Sequence, residues 1–244
     1  MEAMKITNRK KKKAKAARFE IITVLPEALK SYFNLSIMGR AQAKGLMAVC
    51  WHDLRQYGLG KRRTVDDAPF GGGPGMVLMY PPIEKAVAKI AGRGEKRGKR
   101  TRVILLSTRG KVFDKGAAAR LARQYDKIVI IAGRYEGVDE RVRKIADEEI
   151  SVGNFILAGG ELAAAMVVET VARFIPGVLG KDESLEENKG SYPVYTRPAE
   201  VKMDRRRLKV PAALMSGNHK EIEKWRREKG RRKEEEVGRE EKAG

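Results

Sequence analysis

Apolar residues recur along this chain as short runs separated by stretches of helical spacing. Residues 19–24 form a β-rich apolar run, and Pro26 then opens residues 27–33 as a helix, since proline suits a first helical turn. Residues 36–44 read as another short helix and 46–51 as a strand. Periodicity is lost from 53 to 80. It returns as a helix at 82–90, a strand at 103–106, a helix at 115–124 and a strand at 127–132. Residues 161–174 read as a buried helix. Strands that alternate with helices predict an α/β fold, with a mostly parallel sheet covered on both faces.

The texture changes beyond Pro176. Residues 177–198 are polar and acid-rich and read as a linker, and 199–230 form a short basic segment ending in a helix at 220–229 around Trp225. Residues 231–244 are a charged tail and 1–18 a basic arm, so the main domain spans 19–176. A chain of 244 residues accommodates one such domain and a small appendage.

Charge narrows the partner. Fifty-two Lys and Arg against 32 Asp and Glu leave a net +20, which points to a polyanion, nucleic acid first. The excess is concentrated in Lys5, Arg9, Lys10, Lys11, Lys12, Lys13, Lys15 and Arg18, and again in Arg93, Lys96, Arg97, Lys99, Arg100 and Arg102. The single cysteine, Cys50, excludes an internal disulfide, and two histidines cannot build a zinc-type cluster. No apolar run is long enough to span a bilayer and no secretory leader is evident, so the expectation is a reduced, cytoplasmic protein. The residues assign no metal site and leave a magnesium requirement open. Cys50 reads as a small buried hydrophobe, His52 as a loop residue, and Met76 and Met79 as packing.

Three segments share one chemical character. They are Leu106-Ser107-Thr108-Arg109-Gly110, Gly133-Arg134-Tyr135-Glu136-Gly137, and the run from Ser151 to Glu161, each placing small residues or glycine after a buried strand. In parallel α/β sheets ligands collect beyond the carboxyl ends of strands. The last run alternates apolar residues with glycines, offering bare backbone groups and an apolar lining to a flat heteroaromatic ligand. The same residues would equally suit a tight strand-to-helix turn. Neither a dinucleotide fingerprint nor a Walker A pattern is present.

These motifs, with others in order along residues 19–229, resemble the bacterial tRNA (guanine-N1)-methyltransferase family, which methylates the guanosine 3′ to the anticodon. The matching segments are Leu25-Pro26-Glu27, Arg63-Thr64-Val65-Asp66-Asp67, Gly71-Gly72-Gly73-Pro74-Gly75-Met76, Gly133 to Arg141, Gly159-Gly160-Glu161, Arg173 to Gly180, Tyr195-Thr196-Arg197-Pro198 and Ser216-Gly217-Asn218-His219. The resemblance implies a SPOUT-type α/β fold with a deep C-terminal trefoil knot, and a helical C-terminal segment shortened relative to the family. It further implies S-adenosylmethionine as methyl donor, tRNA as substrate, and a homodimer whose active sites lie at the subunit interface. Carried over by position, the donor site comprises Ser107, Gly133, Tyr135, Glu136, Ser151, Val152, Gly153, Asn154, Phe155, Ile156, Leu157, Gly159 and Gly160. Asp66, Gly75 and His219 fall on the RNA side.

The chemistry of the implied reaction can be stated separately. Guanine N1 carries a proton, so a base must remove it as the methyl arrives, and negative charge building on O6 calls for a cation. Arg173 matches the arginine facing O6; the same position would also suit a cation at a helix C-terminus. Asp66 would equally serve as a turn cap and His219 as a helix cap. Counting from Arg173 without gaps, the family's basic aspartate falls on Asn188, whose amide cannot accept the proton. Glu187 is assigned the role, with Glu186 as the alternative. Leu105 stands for a usual tyrosine, Thr108-Arg109 for Pro-Gln, Asn154 for an aspartate and Ala163 for a proline. Two other outcomes stay open: a knotted RNA-binding protein without catalysis, and a methyltransferase for another RNA.

Overall fold

A computed structural model describes residues 16–179, 192–204 and 206–230. The chain divides into two compact units, residues 1–179 and 180–244. In the first, five strands pair in the order β2-β1-β6-β5-β7, and every pairing is parallel. They are β1 (Ala17–Thr23), β2 (Met47–Asp53), β5 (Thr101–Val112), β6 (Lys127–Ile131) and β7 (Glu148–Ser151). The helices are α1 (Lys30–Phe33), α2 (Ser36–Ala43), α3 (Tyr80–Ala91), α4 (Lys115–Gln124) and α5 (Gly160–Arg173).

The two-residue side-chain period explains why both faces are covered. Phe19, Ile21, Ile104, Leu106, Ile128, Ile130 and Ile150 point into one core, which the alanine-rich α5 fills together with α2 and α4. Their neighbours in sequence, Ile22, Val103, Leu105, Val129 and Ile131, point into a second core closed by α3. Pro81 and Pro82 stand in the first turn of α3, where a missing N–H leaves nothing unsatisfied.

Several elements depart from the expectation. Residues 26–29 are turns, with Ala28 N donating to Leu25 O at 3.1 Å, so the first helix begins only at Lys30. The unpatterned stretch holds a 3-10 turn at Leu54–Tyr57 and a short antiparallel hairpin, β3 (Asp66–Asp67) with β4 (Val77–Leu78). Strand β5 runs well beyond residue 106. It pairs with β7 through Leu106, shifts register, and pairs again from Lys111, so Ser107–Gly110 form an arch within a strand rather than a loop after one. Gly110 permits this, because a Cβ there would stand 2.5 Å from the Ile150 backbone.

The second unit contains a hairpin unforeseen from sequence, β8 (Glu200–Met203) with β9 (Arg206–Lys209), then α6 (Ala212–Met215) and α7 (219–230). Tyr195 packs edge-on against Trp225, with ring centres 6.1 Å apart. Of the predicted arm, linker and tail, residues 1–15, 180–191 and 231–244 lie outside the described residues.

Two acids anchor the sheet from within. Glu20, 3% exposed in β1, receives Arg18 Nε at 2.9 Å and lies 2.7 Å from His52 Nε2. In β7, Glu148 binds Arg102 and Arg120, each at 2.5 Å. Burial alone would push both carboxyls up, yet these partners hold both below the ordinary range. A carboxyl lowered by folding stabilises the fold above its unfolded pKa, and that contribution is lost as pH falls through the folded value. Stability should therefore decline below about pH 5, and Glu148→Gln should flatten that decline in urea titrations at stepped pH. Parallel curves for the two proteins would remove Glu148 from the account.

Candidate functional site

The three segments picked out by their glycines converge at the carboxyl edge of the sheet. They enclose a cavity of about 440 Å³, within the usual span of small-molecule sites. Ser107 enters from the β5 arch, and Gly133, Tyr135 and Glu136 from the turn after β6. Ser151, Val152, Gly153, Phe155, Ile156, Leu157, Gly159 and Gly160 come from the run joining β7 to α5. Asn154, named with them from sequence, is exposed and is not among the lining residues.

Close packing explains the glycine pair, against backbone at Gly160 and against the Glu161–Arg134 ion pair at Gly159. A Cβ on Gly160 would lie 2.8 Å from Ala132 Cα, and one on Gly159 2.6 Å from Glu161 Oε2. Gly160 N donates to Gly133 O at 2.7 Å, and Arg134 pairs with Gly159 in an isolated bridge. Ser151 Oγ donates to Gly153 O at 2.9 Å and ties down the start of the same run. Tyr135 adopts φ +61°, a left-handed conformation that costs a non-glycine residue about 1–3 kcal/mol and persists only where its surroundings impose it.

Beside it, the residue before Tyr135 is anchored by Glu161, in the first turn of α5 and only 3% exposed. Thr23 Oγ1, at the end of β1, donates to its Oε1 at 2.5 Å. Arg134 Nε, beside Tyr135, donates to both carboxylate oxygens at 3.1 Å. The carboxylate also meets the positive end of the helix dipole.

A second layer of loops leans on this cavity. Glu136 N donates to Met76 O at 3.0 Å, Leu78 N to Gly137 O at 3.0 Å and Asp139 N to Leu78 O at 2.9 Å. Gly75, at φ +81°, touches Glu136 so closely that a Cβ would lie 2.6 Å from its carboxylate. Thus Gly75 and Asp66 belong to a hairpin laced to the turn after β6. Arg173 is not brought to the cavity of its own chain. It ends α5, thirteen residues beyond Gly160, or roughly 20 Å at 1.5 Å per residue. His219 begins α7 in the second unit, where Asn218 Oδ1 caps the helix by accepting Lys220 N at 3.1 Å. Glu187, with Glu186 and Asn188, lies outside the described residues.

Sequence reasoning missed one wall. Arg109, Glu140, Arg143 and Glu149 also line the cavity and form a ladder of alternating charge. Arg109 meets Glu140 at 2.6 Å, Glu140 meets Arg143 at 2.9 Å, and Arg143 meets Glu149 at 2.6 Å. Arg143 and then Arg109 hold the Glu140 carboxyl below its ordinary value. Nothing in residue spacing signals this ladder, because its members come from β5, β7 and a 3-10 turn at Glu140–Lys144. Among the described residues no His, Cys, Asp and Glu cluster to hold a metal, and no helix is long and apolar enough to cross a membrane.

A family model for tRNA (guanine-1)-methyltransferase TrmD matches residues 17–240. The chain belongs to this family. A tRNA (guanine-N(1)-)-methyltransferase from Myxococcus xanthus is 46% identical over 213 residues, covering 85% of this chain and 83% of the relative. Proteins of the same name from Geotalea uraniireducens and Persephonella marina are each 45% identical, over 218 and 216 residues. They cover 86% of this chain, and 84% and 82% of their own lengths. The family match takes in both units, from the first sheet strand to past the last described helix.

Because Glu161 joins β1, the turn after β6 and α5, its removal should be felt globally. Glu161→Ala should lower unfolding free energy by about 3 kcal/mol, the low end for breaking a buried pair, since Arg134 keeps some access to water. Glu161→Gln, which still accepts from Thr23, should lose less than half as much. Urea midpoints at unchanged slope measure both; a loss under about 1 kcal/mol for the alanine variant would contradict the assignment.

Proposed function

We propose that the protein transfers the methyl group of S-adenosylmethionine to N1 of guanine in tRNA, at the guanosine 3′ to the anticodon, acting in the cytoplasm. The observation that carries this reading is the convergence of the three glycine-bearing segments on one cavity in a chain of this family. The cavity suits the donor chemically. Leu106, Ile150 and Leu157 offer apolar surface to an adenine, while backbone groups around Gly133 and Gly159 offer hydrogen bonds to its polar edge. In this reading the segments threading residues 133–160 form a trefoil knot. The bond from Gly160 N to Gly133 O and the pairing of Arg134 with Gly159 support that course.

The donor supplies a sulfonium-bound methyl, so the S–CH3 bond breaks as the N1–CH3 bond forms. The linker carboxylate, Glu187, takes the N1 proton, and the Arg173 guanidinium stabilises charge on O6. Asp66 and the Gly75 loop hold the guanosine beside the donor, and the second unit with His219 holds the RNA.

The helix-length separation of Arg173 from the cavity supports a composite site, in which a second copy of the chain supplies Arg173 and Glu187. Exposed apolar residues on α5, Leu162 at 55% and Met166 at 46%, support a homodimer through that helix. Asn188 favours one other reading, a knotted RNA-binding protein without turnover.

Labelled methyl donor with bulk tRNA separates the readings: label should appear in 1-methylguanosine, and its absence from guanosine would sink the enzyme. Glu187→Gln should reduce the single-turnover rate at least 100-fold while leaving donor affinity unchanged. An unchanged rate would transfer the role to Glu186. Co-expressing an Arg173→Ala chain with a Gly160→Val chain should restore activity that neither shows alone, since one site per mixed dimer keeps both halves. No restoration would place Arg173 and the donor in the same chain.

A further inference from the structure

The proposed reaction uses only the carboxyl edge of the sheet. At the opposite edge β1, β5 and β6 begin together, and the turn between α3 and β5 folds over them. Arg18, Lys96, Lys99, Arg100 and Lys127 line a cleft there of about 370 Å³, with Asp126 as its one carboxylate. Asp126 is committed to Arg100 Nε at 2.8 Å, and Lys127 Nζ to the Ile90 carbonyl at 2.9 Å. Arg18 shares the buried Glu20 with His52. Lys96 and Lys99 are exposed and have no acidic partner among the described residues. The cleft therefore carries uncompensated positive charge.

Arg18 N donates to Asp126 O at 2.8 Å, which fixes the start of β1 at this cleft. The cleft offers point charges on flexible stems and no aromatic side chain. Lysine-dominated surfaces of this kind neutralise phosphates without reading bases. Lys127 and Gly133 stand at opposite ends of β6 and its turn, six residues apart, or roughly 20 Å along an extended strand. A ligand that reaches both the cleft and the cavity must therefore span at least that distance.

We infer that this cleft is a second anchoring site for RNA, taking sugar–phosphate backbone remote from the reacting base. The inference rests on the reading of tRNA as substrate. Of the charge cluster at residues 93–102 it assigns Lys96 and Lys99 to binding rather than to solubility, since Arg93, Arg97, Arg100 and Arg102 are each paired with an acid.

The test is a paired substitution, Lys96→Ala with Lys99→Ala, in the full chain. Both side chains are exposed, and neither belongs to the cavity or the reacting groups. Binding of tRNA measured from about 50 to 300 mM salt should show a slope of log affinity against log salt shallower by about 1–2, as expected when one or two phosphate contacts are lost. The KM for tRNA should rise severalfold, while kcat at saturating tRNA and the affinity for S-adenosylmethionine stay unchanged. Lys96→Glu with Lys99→Glu should weaken binding further. An unchanged slope and KM in both variants would overturn the cleft, even with methyl transfer intact. A shallower slope in a protein that methylates no tRNA would instead overturn the reaction and leave the cleft standing.

Discussion

Most of the structure's organisation follows from one buried carboxylate. Glu161 cannot sit inside the fold without partners, because an unpaired charge there would cost several kcal/mol. Its partners come from two other parts of the chain, Thr23 at the end of the second strand in sheet order and Arg134 in the turn after β6. Satisfying it brings the start of α5 down onto that turn, closely enough that a Cβ at 160 would meet backbone at 2.8 Å. The left-handed Tyr135 follows Arg134 in the same turn. Ligand cavity and fold stability thus share one set of hydrogen bonds.

The all-parallel sheet supplies the frame on which this works. Parallel strands align their carboxyl ends, so three segments distant in sequence arrive at one edge. The two cores on either face hold the strands in place, and the loops beyond the edge carry the chemistry. The amino edge is left free of that duty, which is why uncompensated charge can gather there without disturbing the cavity.

Much of this was legible in the sequence where apolar period alone decides. Strands β1, β2 and β6 and helices α3, α4 and α5 lie near their expected positions because both faces of the sheet are apolar. Strand β7 was hidden: Glu148 and Glu149 look like surface residues until Arg102, Arg120 and Arg143 are seen to neutralise them from three other elements. The β5 arch was hidden for a related reason, since only the backbone of Ile150, far along the chain, requires a glycine at 110. At the cavity, three glycine-bearing segments were visible in the sequence and the family resemblance picked out twelve of the lining positions within them, whereas the Arg109–Glu140–Arg143–Glu149 ladder arises from tertiary placement. Asn154 kept its place in the motif but faces solvent. Arg173 could be assigned by motif and its helix could be expected, whereas its absence from the lining of its own chain's cavity required the structure.

The arch in β5 has a consequence for how this family can vary. A strand that leaves its neighbour at Leu106 and rejoins it at Lys111 is fixed at both feet. The residues of its span are free to differ, because they contribute to the cavity without setting the register. A change in their number would have to be absorbed inside the arch: if it moved the second foot by one residue, Phe113 would turn out of the core and lose its bond to Ser151 O. The arch thus separates the shape of the cavity wall from the register of the strand that carries it.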